Sequence, residues 1–252
     1  MSVHRFSSFD GARLAWHEMG PVEGRPLLLL HGLFSSAEVN WIKFGTADRL
    51  ARAGFRVLML DFRAHGQSEA PTDAKAYPVG VLERDTSAWL DYLAISDFDM
   101  AGFSLGARTA AITTAERMLE PGRLALCGMS LAGITDHGAG TRIPDFVQTI
   151  DSYGSHKPGT EAYMTQQFLK TNKVDLTAAR ALLHAVTDTS DTALRAIDVP
   201  THVICGAEDI YLNGARELAD AIPGASFAEI PGTHMSSVTK PEFGEALASA
   251  FG

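Results

Sequence analysis

Asp99-Met100-Ala101-Gly102-Phe103-Ser104-Leu105-Gly106-Ala107-Arg108 decides how the 252-residue chain is read. Its first half has the pattern of a short buried strand, and the Ala-, Ile- and Thr-rich run 107–119 that follows is helical in spacing. Between them stands Gly-x-Ser-x-Gly. Glycines two positions to either side of a serine let a chain turn sharply from strand into helix where a Cβ would meet backbone. Such a turn lifts the hydroxyl of Ser104 clear of the sheet. It also sets the residue at a helix start, whose unpaired amides favour negative charge on a bound oxygen. Ser104 is therefore the candidate nucleophile, the plainer alternative being a serine that only begins a helix.

Outward from this stretch, strands and helices alternate. Residues 3–8 and 12–19 flank Asp10-Gly11 as a hairpin and predict an antiparallel edge. Pro26 introduces Leu27-Leu28-Leu29-Leu30, a run suited to a strand covered on both faces, which ends in His31-Gly32-Leu33-Phe34. A helix is expected over 41–53, closed by Gly54, then a strand over 55–61, a polar turn over 62–68 and a helix over 79–93. Beyond the central stretch, Pro121-Gly122 breaks the chain before a strand over 123–129. From 131 to 197 the alternation gives way to short helical patterns at 144–153, 161–169 and 177–186. It resumes with strands at 201–205 and 226–230 and helices at 213–222 and 241–251. The expectation is one domain over 1–252, a mostly parallel sheet with helices on both faces and an inserted helical cap at 131–197.

Apolar residues at 46% and charged residues at 20% fit an ordinary globular protein. A net charge of −9 without a basic cluster excludes nucleic acid and anionic membrane as expected partners and suits small, uncharged substrates. Cys127 and Cys205 lie in apolar strand-like runs and read as buried free thiols in a reducing compartment. No apolar run approaches the ~20 residues of a membrane span, and no leader pattern opens the chain, so a cytoplasmic location is expected.

A serine hydroxyl needs a base to take its proton and a third group to orient that base. Asp209 follows the 201–205 strand and His234 the 226–230 strand, which puts both at the carboxyl-end edge expected for Ser104. Glu208 and Asp136 compete with Asp209 for the orienting role. Of the other histidines, His31 and His65 each precede a glycine and read as loop-bracing residues. His4, His17, His137, His156, His184 and His202 carry no partner pattern. No spaced His or Cys ligand motif is present, so no metal site is expected, not even around Asp61 and His65.

These residues together resemble the α/β-hydrolase superfamily. The resemblance covers the chain and rests on His31-Gly32 after the Leu-rich strand, Asp61-x-Arg63-x-His65-Gly66-x-Ser68, the Ser104 turn, Gly206-x-x-Asp209 and His234. Ala64 stands where the family usually has Gly, and Gly232-Thr233-His234 replaces the commoner Gly-His. The segment 31–36 with Trp41 downstream looks most like the family's small carboxylesterases with a short helical cap. The resemblance implies an eight-stranded α/β-hydrolase fold and a Ser104, His234, Asp209 triad. It also implies an oxyanion hole from the Leu33 and Leu105 amides, and no cofactor.

The expected reaction is cleavage of small carboxylic esters through an acyl-enzyme. Alternatives on the same site are carbon–carbon bond or enol-lactone hydrolysis, thioester hydrolysis and cofactor-free perhydrolysis. An alternative of another class is a ligand-sensing protein with slow turnover. The cap supplies Ile143, Phe146, Tyr153, Tyr163, Met164 and Phe168. From these, Phe146, Met164 and Phe168 join Phe34, Trp41 and Phe103 as the expected lining of a mainly apolar pocket. Arg108 or Arg142 remains open as a charged anchor.

Overall fold

A computed structural model describes residues 2–136 and 142–252; His137 lies outside the described residues. Gly11 takes a φ of +90°, and the turn it makes pairs β1 (Ser2–Ser7) antiparallel with β2 (Arg13–Met19). β2 in turn runs antiparallel to β4 (Phe55–Leu60). β3 (Arg25–Leu30), β4, β5 (Asp99–Phe103), β6 (Leu124–Cys127), β7 (Thr201–Gly206) and β8 (Ser226–Ile230) are parallel, in the order β1-β2-β4-β3-β5-β6-β7-β8. The predicted eight-stranded, mostly parallel sheet is the one observed.

The Leu-rich run is continuous because β3 is covered twice. Leu28 and Leu30 enter the core beneath α2 (Val81–Leu93), α3 (Leu105–Ala115) and α9 (Leu212–Ala221). Leu27 and Leu29 enter the opposite core, beneath α1 (Thr46–Arg52) and α10 (Pro241–Phe251). At the far end of the sheet from the candidate site, the buried Asp99 carboxylate takes Arg25 at 2.7 Å and Arg123 at 2.9 Å, tying the starts of β3, β5 and β6.

The expected helix over 41–53 is two pieces. A wide π-helical turn, Glu38–Ile42, ends before Gly45 at φ +85°, and α1 starts at Thr46. That break turns Trp41 away from the site. It is fully buried and stacks on Phe243 with ring centroids 5.7 Å apart, so Trp41 belongs to the core and does not line the pocket as expected. Ala64 has a φ of +66°, the left-handed conformation that explains why glycine is usual there.

Between β6 and β7 lie α4 (Ala132–Thr135), α5 (Ile143–Asp151), α6 (Glu161–Thr171), α7 (Leu176–Leu183) and α8 (Asp191–Leu194). Thr160, Asp175 and Ser190 accept first-turn amides of α6, α7 and α8, which fixes where these short helices begin. Their apolar faces close on a small core of Ile150, Leu169, Ala179 and Leu183 around Phe34 of the β3 loop. Asn172 also donates to the Phe34 carbonyl at 2.9 Å. The helical insertion is thus seated on the same loop that borders Ser104.

Candidate active site

The turn at Ser104 is built on two close backbone approaches. A Cβ on Gly106 would sit 2.0 Å from the Leu30 carbonyl oxygen, and one on Gly102 would sit 2.2 Å from the Gly106 carbonyl. Only glycine lets α3 start this near β3 and β5. Ser104 itself is held at φ +53° and ψ −115°, a conformation that costs a non-glycine residue about 1–3 kcal/mol.

This strained turn delivers the hydroxyl to a partner. Ser104 Oγ lies 3.1 Å from His234 Nε2, and His234 Nδ1 lies 2.9 Å from Asp209 Oδ2. An ionised carboxylate can only accept, so Nδ1 carries the proton and the lone pair of Nε2 faces the serine hydroxyl. The Asp209 carboxylate is buried, and its second oxygen accepts the Tyr211 amide at 2.9 Å. Phe103 and Tyr211 flank the imidazole at ring distances of 5.0 and 5.1 Å. Asp209, rather than Glu208 or Asp136, is the carboxylate bonded to His234.

Leu33 and Leu105 both border the space in front of Ser104. Leu105 opens α3, so its amide has no intrahelical acceptor, and no backbone bond from the Leu33 or Leu105 amide is found among the described residues. The Leu33 loop is held by a reciprocal clasp. His31 donates from Nδ1 to the Gly32 carbonyl at 2.7 Å and accepts the Phe62 amide at Nε2 at 3.0 Å. His65, on the β4 loop, donates from Nδ1 to the Arg63 carbonyl and accepts the Phe34 amide, both at 2.9 Å. Each histidine braces its own loop and reaches across to the other. Burial pushes the His65 imidazole down to about 3 and lowers that of His31 as well, so both stay neutral and able to accept.

Asp61 completes the brace by accepting the Ala37 amide at 2.8 Å and the Gln67 amide at 2.9 Å. His17 also lies 3.1 Å from Asp61. Burial pushes the Asp61 carboxyl up, but the His17 bond and the two amides hold it below its ordinary value. His17 shows no partner in the sequence because the contact depends on β2 lying beside β4, a strand order that alternation does not encode.

Of the expected lining, Phe34, Phe103, Phe146, Met164 and Phe168 border the cavity around Ser104, as does Ile143. Tyr153 and Tyr163 do not. Sequence reasoning missed Ile210, Tyr211 and Met235, although each sits one or two positions from Asp209 or His234 on the same loops. It also missed Asn40 and Val39, which the broken helix brings to the cavity in place of Trp41. Among the described residues, no group of three or more His, Cys, Asp or Glu side chains is placed to hold a metal ion.

A sequence profile of the alpha/beta hydrolase fold matches residues 25–126. The chain is 30% identical to a candidate non-heme haloperoxidase of Mycobacterium phage D29, an alignment covering 94% of this chain and 90% of that protein. The chain belongs to the alpha/beta hydrolase family. Against bifunctional epoxide hydrolase 2 of Sus scrofa, this alpha/beta hydrolase is 36% identical over 96 residues, 38% of its own length. It spans only 16% of that relative. A crystal structure of a hydrolase from Pseudomonas aeruginosa PA01 superposes with a TM-score of 0.80 at 23% identity, covering 100% of this chain and 98% of the other. At that identity the likeness is one of fold. No helix among the described residues is long and apolar enough to cross a membrane.

Proposed function

We propose that this alpha/beta hydrolase is a serine esterase acting on small-molecule carboxylic esters through an acyl-enzyme. The observation that carries the reading is the unbroken chain Ser104 Oγ, His234, Asp209 at 3.1 and 2.9 Å, opening on a mainly apolar cavity. In this reading Ser104 Oγ attacks the ester carbonyl carbon while His234 Nε2 takes its proton. The Leu33 and Leu105 amides donate to the oxyanion, and the buried Asp209 carboxylate stabilises the imidazolium. Collapse expels the alcohol, which leaves with the proton held by His234. Water activated by the same imidazole then releases the acid. Two unpaired, buried thiols support a cytoplasmic setting for this enzyme.

The test is intact-mass spectrometry after exposure to a fluorophosphonate, with a short-chain p-nitrophenyl ester assayed in parallel. One adduct, located on Ser104 and accompanied by ester turnover, is expected; absence of an adduct would remove the serine mechanism. A second reading, perhydrolysis, draws on the full-length similarity to the phage protein. There the acyl-enzyme would be resolved by hydrogen peroxide in place of water, and peracid formation on adding peroxide and acetate would reveal it.

The histidine clasp gives a further expected result. Replacing His65 with Ala leaves the Phe34 amide without its acceptor and frees the Leu33 amide to drift. We expect kcat to fall by about 10–100-fold, in line with a displaced oxyanion donor, while KM changes little. His65→Gln, which can place a carbonyl oxygen near the same amide, should recover part of the loss. Because His65 is held near 3, the wild-type rate profile above pH 5 should carry no step from its titration.

A further inference from the structure

Ser104 stands where two lobes of one cavity meet. The smaller, about 230 Å³, runs towards Ser35, Val39 and Asn40 of the β3 loop and Val238 before α10. The larger, about 600 Å³, lies under the helical insertion against Ile143, Phe146, Leu183 and Val186. Leu33, Ser104, Phe168, Thr171, His234 and Met235 border both lobes. Apart from the reaction centre itself, the boundary is therefore made by Phe168 and Thr171 from α6 and Met235 beside His234, of which Phe168 and Met235 are the bulky apolar side chains.

Among the described residues that border it, the larger lobe offers no unmatched cation. Arg142 is paired with Glu161, and Arg108 with Asp188. Its lip is instead apolar and wet: Met164 is 66% exposed, Ile210 67% and Met235 52%. Large apolar side chains left in water around a cavity are covered favourably by an apolar ligand that fills the lobe and continues over the rim. The larger lobe also has between two and three times the volume of the smaller.

We propose that the substrate is an ester with unequal arms. A longer apolar arm occupies the lobe under the helical insertion, a shorter arm occupies the other, and Phe168 and Met235 hold the two apart. This rests on the esterase reading above and specifies its substrate class. The same boundary admits a long acyl chain on a small alcohol or a short acyl group on a long alcohol; it rejects an ester long on both sides.

The test uses the full-length protein with methyl decanoate, decyl acetate and decyl decanoate, released acid or alcohol being measured for wild type, Phe168→Ala and Met235→Ala. For the wild type, kcat/KM should rise from the four-carbon to the ten-carbon member of at least one single-arm series, by up to about fourfold per methylene. Opening the boundary should raise the activity of a variant relative to wild type at least about tenfold more on decyl decanoate than on the single-arm esters. Comparing enzymes on one substrate removes differences in solubility between esters. Met235 is exposed enough to be cut back without unfolding the chain, should Phe168→Ala melt early.

A flat chain-length series, or variants that leave the ratio unchanged, would overturn the proposal while a fluorophosphonate adduct on Ser104 kept the esterase reading. No adduct would overturn both.

Discussion

Ser104→Ala is expected to lower kcat by about 10⁶-fold, the loss seen when the nucleophile of a serine relay is removed. The imidazole, the carboxylate and the two amides stay in place, so a trace of activity about 10³-fold over water should survive. Stability should hardly move, because alanine meets the same backbone strain at φ +53° and the hydroxyl has His234 as its side-chain partner. Ser104→Gly separates the strain from the chemistry. It gives up the same turnover and relieves about 1–3 kcal/mol of strain, against about 0.5–1 kcal/mol of added chain entropy in the unfolded state. Its melting temperature should therefore rise above that of wild type. Steady-state kinetics and thermal melts on the two variants check both halves. An alanine variant within tenfold of wild-type kcat would end the nucleophile assignment, and a glycine variant that melts lower would show that the turn is not strained.

The central turn was legible because its demands are local. Two glycines at fixed offsets, a strand before and a helix after leave few other folds for 99–108, and the close approaches at Gly102 and Gly106 are what those glycines anticipate. The edge on which Asp209 and His234 fall was legible for the same reason, since each lies in the loop that follows a strand of a parallel sheet. Contacts fixed by strand order or by a broken helix were not. His17 reaches Asp61 only because β2 adds to the sheet beside β4. Trp41 leaves the cavity only because Gly45 interrupts a helix whose apolar spacing looked continuous. The lip residues Ile210 and Met235 were hidden differently: an exposed apolar side chain beside Asp209 or His234 has no sequence periodicity to announce it.

Arg63 is where the largest loss of stability is expected. Its guanidinium is fully buried, donating to Asp10 at 2.6 and 2.9 Å, to Asp85 at 2.7 and 3.0 Å and to the Ala76 carbonyl at 2.5 Å. It joins the β1–β2 turn, the loop after β4 and α2 at one point. Ser8 gives the Asp85 carboxylate one further bond at 2.5 Å. Arg63→Met removes the cation and leaves the Asp85 carboxylate buried beside methylene groups, a change expected to cost about 3–5 kcal/mol. In a chain of this size that is a fall in melting temperature of about 10 °C.

The pH dependence separates this from lost packing. Burial raises the Asp85 carboxyl above its ordinary value, and the Arg63 bonds oppose that rise. A raised carboxyl favours the fold below its unfolded value of 3.8, and that contribution is lost as pH rises through the folded value. Without Arg63 the rise is larger, so the variant suffers most at neutral pH. Asp10 works in the same direction. Arg63 lowers it, and the stability it lends the wild type above 3.8 is lost as pH falls through its folded value. The gap between wild type and Arg63→Met should therefore narrow as pH is lowered from 7 towards 4 in urea unfolding. Adding Asp85→Asn, which removes the stranded charge and keeps the shape, should recover part of the loss at pH 7. A gap that stays constant with pH would mean that Arg63 acts through packing alone.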